Sequence, residues 1–176
     1  MIQKAAVFAA RAHEGKLRKG TDIPYIVHPL ETAVIVSGMT EDPEVISAAL
    51  LHDVIEDAGV TYDKLEREFG TRVAKLVQEE SEDKSKSWQE RKAATIRHLE
   101  SAKREVKLIC LGDKLSNLRS TAADRLLKGE AVWLKFREPR KEKHEWYYRG
   151  VLERLSELEN ETAYAEYVQL MKLLFG

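Results

Sequence analysis

Apolar residues recur with helical spacing along almost the whole chain, and sustained strand-like alternation of apolar and polar residues is nearly absent. No Asn-Gly or Asp-Gly pair marks a β-hairpin turn. The pattern predicts helices near residues 2–13, 29–38, 43–57, 61–69, 71–80, 88–101, 104–119, 121–128, 140–158 and 160–175. The basic segment 15–27 and the polar segment 81–87 lie outside them. We therefore expect an all-α fold of about ten helices.

Residues with strong positional preferences mark several helix ends. Thr61 precedes an amphipathic segment and suits an amino-terminal cap, whereas Gly70 follows that segment and suits a terminator. Pro29 and Pro43 suit the first turn of a helix, where a missing N–H costs nothing. No internal repeat and no linker divides the sequence, so we expect residues 1–176 to form one compact domain.

Composition narrows the class of protein. Hydrophobic residues make up 43% of the chain and charged residues 34%, which favours a folded globular protein over a disordered one. The 29 basic and 30 acidic residues give a net charge of -1. A protein that binds a nucleic-acid polymer normally carries a basic surplus, so we do not expect such a partner.

The sequence also bears on the compartment. One cysteine, Cys110, excludes a disulfide within the chain, and its apolar neighbours predict a buried thiol. The apolar run at residues 5–10 is too short for a signal peptide, and no stretch approaches the ~20 residues that span a bilayer. We therefore expect a cytoplasmic protein without a membrane partner.

The segment LLHDVIED, residues 50–57, concentrates acidic groups beside apolar ones. It carries one histidine and three carboxylates: His52, Asp53, Glu56 and Asp57. If the helix is continuous, these four side chains lie on the same side of it. We expect open space next to them, because the neighbouring residues Ala48 and Ala49 are small. No lysine or arginine lies between Ser47 and Lys64 to relieve the repulsion, so a divalent cation could supply the counter-charge. Adjacent residues can share one ion only near a helix end or with tilted side chains. The alternative is that these four side chains form an ordinary solvent-exposed face of the helix.

Two other positions could join this cluster. His28 precedes Pro29, which disfavours helical geometry and predicts a histidine held at a helix entrance; a cap or core histidine is the alternative. Asp113 follows a mostly apolar run and would be costly to bury unpaired, and Asn117 lies one turn further on the same face. For Asp113, the alternative is a structural salt bridge with Lys114 or an arginine.

These residues carry a family resemblance. The order of His28, His52-Asp53 and Asp113 resembles the H…HD…D signature of the HD-domain metal-dependent phosphohydrolases. The segments RKGTDIPYIVHP, AALLHDVIED, FGTRVAKLVQEESEDKS and GDKLSNLR resemble motifs of the RelA/SpoT-type (p)ppGpp hydrolase domain, as found in stand-alone small alarmone hydrolases. Gly112 stands where the family commonly has alanine, a departure from which we expect little effect. The segment EPRKEKHEWYYRG matches only loosely.

The resemblance implies a metal centre and a catalytic pair. In the family, the residues matching His28, His52, Asp53 and Asp113 hold one divalent metal ion, usually manganese. Mixed imidazole and carboxylate ligands also suit iron, cobalt or zinc. The residues matching Glu56 and Asp57 activate and orient the attacking water. The alternative is that this pair only orients the histidines.

The resemblance also implies a substrate site. Arg18 matches a residue that lies against the purine, Lys19 a phosphate contact, and Asn117 an asparagine near the ribose. We expect Arg140 and His144, one helical turn apart, to reach the 5′ phosphates, although some relatives carry tyrosine in place of His144. Without the resemblance, Arg18 and Lys19 would be read as a solvated loop.

The implied activity is metal-dependent hydrolysis of the 3′-diphosphate of ppGpp or pppGpp, which yields GDP or GTP and pyrophosphate. Two alternatives stay open. One is another reaction on the same scaffold, such as the removal of the 2′ phosphate of NADPH or hydrolysis of an adenine alarmone. The other is a non-catalytic alarmone-binding domain. The sequence leaves open whether the protein is a monomer or a homodimer.

Overall fold

A computed structural model describes residues 1–176 as an all-helical fold with no β-strand beyond one isolated bridge between Leu17 and Pro24. Ten α-helices follow one another: α1 (Ile2–Ala12), α2 (Val27–Ser37), α3 (Pro43–Leu51), α4 (Val54–Ala58), α5 (Tyr62–Phe69), α6 (Thr71–Glu80), α7 (Trp88–Ser101), α8 (Arg104–Lys128), α9 (Lys141–Arg154) and α10 (Thr162–Phe175). Short 3-10 helices span Gly129–Lys135 and Ser156–Leu158. None of these helices is both long and apolar enough to cross a membrane. The predicted fold class is confirmed.

The interior consists of two hydrophobic clusters that meet at α2 and α8. The amino-terminal cluster is built mainly from α1 to α6, and the carboxy-terminal cluster mainly from α7 to α10. On α8, Ile109 faces the first cluster and Leu111 the second; on α2, Val36 and Ile35 divide in the same way. Cys110 is buried, as predicted. These two helices therefore form the seam of the molecule, and the candidate site lies on it.

The close packing of α2 against α8 depends on Gly112. A Cβ atom there would lie 2.8 Å from Cγ2 of Val36 and 3.1 Å from the carbonyl oxygen of Thr32. An alanine would therefore require α2 or the Val36 side chain to move. Contrary to our expectation from the sequence, this departure from the family has a structural consequence.

Most of the local helix signals are confirmed. The side chain of Thr61 accepts a hydrogen bond from the backbone of Lys64, and Pro43 opens α3 behind an Asp42 cap. Gly70 ends α5 with φ of 90°, a conformation that favours glycine. The segments 15–27 and 81–87 are largely non-helical, as predicted.

Three helix boundaries were predicted wrongly. The predicted helices 104–119 and 121–128 are one continuous helix, α8. The predicted helix 140–158 ends at Arg154, and a short 3-10 turn follows. The predicted helix 43–57 is interrupted after Leu51, so His52 and Asp53 lie between α3 and α4. No glycine or proline marks that interruption, so periodicity alone could not reveal it.

Two details near the site also differ from the prediction. His28 and Pro29 both lie in the first turn of α2, which begins at Val27, so His28 is helical. The steric effect of Pro29 is tolerated there because its missing N–H would have no partner in a first turn. Ala48 and Ala49 are fully buried and leave no open space.

Candidate metal centre and active site

Two imidazoles and two carboxylates converge from three parts of the fold. His28 comes from α2, Asp113 from α8, and the pair His52-Asp53 from the break between α3 and α4. Nε2 of His28 lies 3.2 Å from Nε2 of His52 and 3.1 Å from Oδ1 of Asp113. Oδ2 of Asp53 lies 3.0 Å from Nε2 of His52 and 3.6 Å from Nε2 of His28. The break in the helix allows adjacent residues to point at the same place.

Hydrogen bonds orient both histidines toward this centre. Nδ1 of His52 lies 2.7 Å from the carbonyl oxygen of Ala49, to which it can only donate. Nδ1 of His28 lies 2.8 Å from Oγ of Ser116, which in turn donates to Glu31. Burial opposes the charged form of His52, but Asp53 and Asp113 raise its pKa to about 10, so without another cation its Nε2 carries a proton between the two carboxylates. A divalent metal could take the place of that proton, and each Nε2 would then offer a lone pair beside two carboxylates, a donor set that fits such an ion.

The two carboxylates are held ionised. Burial alone would raise the pKa of Asp53, but the neighbouring His52 holds it below its usual range. Burial likewise opposes ionisation of Asp113, whose pKa is nevertheless held well below its usual value by the Lys114 ammonium and by His28. Both carboxylates are therefore ready to bind a cation without first losing a proton.

Asp113 has polar partners on its own helix. Asn117 lies on the same face, as the spacing predicted, and its Nδ2 donates to Oδ1 of Asp113 at 2.6 Å. Lys114 forms an ion pair with its Oδ2, so the salt bridge that was the alternative is present as well. The two interpretations are compatible because each uses a different oxygen of the same carboxylate.

Tyr25 is a member of the site that sequence reasoning missed. Its hydroxyl donates to Oδ2 of Asp53 at 2.6 Å and lies 3.3 Å from Oδ2 of Asp57. Burial, followed by the charge of Asp53, raises the pKa of the Tyr25 phenol far above its usual value, so the phenol stays a donor. The motif PYIVHP contained this tyrosine, but its pattern gave no sign of a contact with α4.

The group formed by His28, His52, Asp53 and Asp113 is called the metal-type cluster below. Glu56 and Asp57 lie on α4 beside it, and Lys84 partly neutralises their charge. Lys84 contacts Oδ1 of Asp57 at 2.5 Å and lies 3.7 Å from Oε1 of Glu56. The backbone N–H of Glu82 donates to Oε2 of Glu56 at 3.3 Å. Burial and the charge of Glu82 raise the pKa of Glu56. The counter-charge missing from residues 47–64 is thus supplied for this pair by segment 81–87.

A cavity of about 250 Å³ opens next to the metal-type cluster. The structure brings four predicted substrate residues to its wall: Arg18, Lys19, Asn117 and His144. Nη2 of Arg18 lies 3.5 Å from Oδ1 of Asn117, close to the Asp113 carboxylate. Arg140 does not line this cavity, because its guanidinium is paired with Glu138 and is 64% exposed.

The rest of the cavity wall was not predicted. It adds a group of basic and aromatic side chains: Trp88, Lys92, Lys114, Lys135, Phe136, Tyr147 and Tyr148. With Arg18 and Lys19, the lining includes five cationic groups and no aspartate or glutamate. Such a wall suits a ligand with several negative charges and a flat ring. These residues come from well-separated parts of the chain, so only the tertiary fold could reveal their proximity.

Comparisons with known proteins place the chain in a family. A family model described as "HD domain" matches residues 5–133. The guanosine-3′,5′-bis(diphosphate) 3′-pyrophosphohydrolase MESH1 of Xenopus tropicalis is 42% identical over 122 residues, which cover 68% of each chain. The human protein of the same name is also 42% identical over 122 residues, covering 67% of this chain and 68% of that relative.

Solved structures agree with this assignment. A structure described as a metazoan ortholog of SpoT that hydrolyzes ppGpp matches with a TM-score of 0.83 and 28% identity, covering 97% of this chain and 93% of that one. A crystal structure of a Listeria monocytogenes protein matches with a TM-score of 0.78 and 34% identity, covering 84% and 98%. The chain therefore belongs to the HD-domain family, and its relatives within that family include the MESH1 ppGpp hydrolases.

Proposed function

We propose that this protein hydrolyses the 3′-diphosphate of ppGpp or pppGpp and releases pyrophosphate together with GDP or GTP. One observation carries the proposal: a donor set that fits a divalent metal adjoins a cavity with five cationic groups, aromatic rings and no carboxylate. The relatives named 3′-pyrophosphohydrolases support the same activity.

The metal would be held by His28, His52, Asp53 and Asp113, and we propose Mn²⁺ as the native ion. The choice of Mn²⁺ follows the resemblance to the family, and the mixture of nitrogen and oxygen donors is compatible with it as well as with iron, cobalt or zinc. When bound, it would supply positive charge to the phosphate and lower the pKa of a water molecule. Ser116 and the Ala49 carbonyl would hold the two imidazoles in the tautomer that binding requires.

Glu56 and Asp57 would act on the attacking water. The water oxygen forms a bond to the phosphorus atom next to the ribose, and the bond between that phosphorus and O3′ breaks. A proton passes from the water to the carboxylate pair, and the 3′ oxygen leaves protonated. The raised pKa of Glu56 favours this role, because a general base works best when its pKa approaches the working pH.

The cavity wall would bind the rest of the nucleotide. Arg18 would lie against the purine, Lys19 would contact phosphate, and Asn117 would orient the ribose beside Asp113. His144 is buried in the wall and would border the 5′ phosphates. Arg140 would reach those phosphates only after leaving Glu138.

A pyrophosphate-release assay on ppGpp, with and without Mn²⁺, tests the proposal. We expect pyrophosphate and GDP in equal amounts, and loss of both after dialysis against a chelator. NADPH and an adenine alarmone belong in the same assay, with the products identified. Preferential release of phosphate from NADPH would assign the other reaction, and full activity in chelator would exclude a metalloenzyme.

We also propose that residues 1–176 act as one domain in the cytoplasm. The seam formed by α2 and α8 supports the first statement, since both helices contribute to both hydrophobic clusters. The single buried cysteine is compatible with the second.

A further inference from the structure

Two lysines and one tyrosine lie together on the wall of the cavity. The Nζ atoms of Lys92 and Lys114 lie 4.7 Å and 5.9 Å from the ring centre of Tyr147. Their side chains are only 19% and 12% exposed. All three residues line the cavity. Both ammonium groups therefore lie near the same aromatic ring, and each is paired with one carboxylate, Glu82 for Lys92 and Asp113 for Lys114. Neither carboxylate lines the cavity, so the remaining N–H donors of the two lysines favour an anionic ligand there.

The hydroxyl of Tyr147 is an independent sign of a ligand. Tyr147 is 97% buried (3% exposed), and its hydroxyl has no hydrogen-bond partner in the protein. A buried hydroxyl without a partner is costly, and such groups are uncommon in folded proteins. An oxygen atom of a ligand in the cavity could accept a hydrogen bond from it. An ammonium group has three N–H donors, so each lysine keeps donors for an anion beyond the one that its own carboxylate accepts.

This group is linked to the reaction centre on two sides. Lys114 pairs with Oδ2 of Asp113, whose Oδ1 faces His28 in the metal-type cluster. Nζ of Lys92 lies 2.7 Å from Oε1 of Glu82, whose backbone N–H donates to Glu56. An anion on these donors would therefore be adjacent to both the metal and the water-activating pair.

We propose that Lys92, Lys114 and Tyr147 bind the 3′-diphosphate of the substrate and hold the pyrophosphate formed from it. The inference rests on the proposed function. It assigns to these residues the preference for a substrate that carries a diphosphate at the position where the bond is broken. The water oxygen bonds to the phosphorus next to the ribose, the bond to O3′ breaks, and O3′ takes up a proton. The two phosphates stay on the two ammonium groups and the phenol until release.

Inorganic pyrophosphate and GDP serve as probes for the two halves of the product. Both are measured as inhibitors of ppGpp hydrolysis by the full chain loaded with Mn²⁺. Lys92→Met should raise the inhibition constant of pyrophosphate by about tenfold or more, the usual effect of losing a hydrogen bond to a charged group. The constant for GDP should change less than about twofold. Lys92→Arg should restore most of the pyrophosphate inhibition, because it retains the charge.

Tyr147→Phe separates the hydroxyl from the ring. It keeps the packing and should raise the pyrophosphate constant several-fold, roughly the effect of one neutral donor. Lys75→Met is the matched control, since Lys75 is exposed on α6 and does not line the cavity. Metal content is measured for every variant.

Two results would overturn the inference. One is unchanged pyrophosphate inhibition in both Lys92→Met and Tyr147→Phe. The other is a parallel rise in the constants for pyrophosphate and GDP with a lower thermal midpoint, which would make Lys92 only a structural partner of Glu82. If the wild type does not hydrolyse ppGpp, the proposed function fails. Calorimetric titration of the Mn²⁺-loaded protein with pyrophosphate would then still test the subsite in the same variants.

Discussion

The metal-type cluster and the cavity wall beside it are built in different ways. The cluster uses short side chains from α2, α8 and the α3–α4 break, and neighbouring backbone and hydroxyl groups orient its two imidazoles. The wall uses long lysine and arginine side chains, several of which are held by a carboxylate outside the cavity. Glu82 holds Lys92, and Asp124 holds Lys135. The first arrangement is suited to fixing an ion, and the second to adapting to a polyanion.

Removing a proposed metal ligand should have the largest effect. His52→Ala deletes an imidazole from a buried cluster in which every donor faces another, so bound metal should be lost on dialysis. Activity should fall by more than the ~10–100-fold that follows loss of a group that only orients a ligand. Metal analysis beside the hydrolysis assay measures both. His98→Ala, a change of an exposed histidine paired with Glu79, is the control. Retained metal and activity in His52→Ala would refute the ligand assignment.

Changing Glu56 and Asp57, which we propose to activate the water, should damage catalysis without removing the metal. Glu56→Gln and Asp57→Asn keep the size of each side chain but remove its capacity to take a proton. The value of kcat should fall by on the order of 10²–10⁴, the range for a general base. Single-turnover kinetics and metal analysis of each variant test this. Loss of metal in parallel with activity would instead place the altered residue among the ligands.

Removing the hydrogen-bond partner that orients His28 should have an intermediate effect. Ser116→Ala removes the hydroxyl that holds Nδ1 of the imidazole, so metal affinity should fall about 10–100-fold. Added Mn²⁺ should restore most of the activity. Ser37→Ala, which removes an exposed hydroxyl from α2, is the control. A variant with unaltered metal affinity would show that the imidazole is positioned by packing alone.

Changes in the basic loop should mainly weaken substrate binding. Lys19→Ala should raise KM by roughly tenfold with a smaller change in kcat. The reason is that a phosphate contact present in both the ground state and the transition state stabilises the two equally. Arg18→Lys should also raise KM, since lysine keeps the charge but loses the planar group. Steady-state kinetics on ppGpp tests both, with Lys75→Ala as the control. Normal kinetics in both variants would exclude the loop from the site.

The pH profile should show the smallest effect. Burial, and then the charge of Glu82, raise the pKa of Glu56. A base works only when unprotonated, so kcat/KM should be full above this raised pKa and should fall as the pH drops through it. The midpoint should lie above ~4.3, the ordinary value for glutamate. Measuring the metal content at each pH distinguishes protonation of Glu56 from loss of the metal as the cause of the decline. A midpoint at or below the ordinary value would argue against Glu56 as the base.

Sequence reasoning succeeded where a feature depends on neighbours along the chain. The cap at Thr61, the terminator at Gly70 and the contact between Asn117 and Asp113 all follow from spacing within one helix. The convergence of His28, His52 and Asp113 came from the resemblance to a family. Periodicity could not have supplied it, because these residues are brought together by tertiary packing.

Features that depend on distant contacts were missed. The break at His52-Asp53 has no glycine or proline to mark it, although it makes shared coordination possible. The hydrogen bond from Tyr25 to Asp53 joins residues 28 positions apart. Lys92 looked like an ordinary surface lysine until the fold placed it against Tyr147. Local spacing contains no information about such pairs.

The position of the metal-type cluster on the seam between the two hydrophobic clusters links metal supply to folding. Its donors come from α2, the α3–α4 break and α8, so a bound ion would join helices of both clusters. A ligand that binds only the folded state adds about 2.7 kcal/mol of stability at a concentration one hundred times its Kd. That amount is a substantial part of the stability of a typical domain, roughly 5–15 kcal/mol. A cell short of the metal would therefore hold less folded protein as well as less active enzyme, and its proteases could remove the metal-free chain.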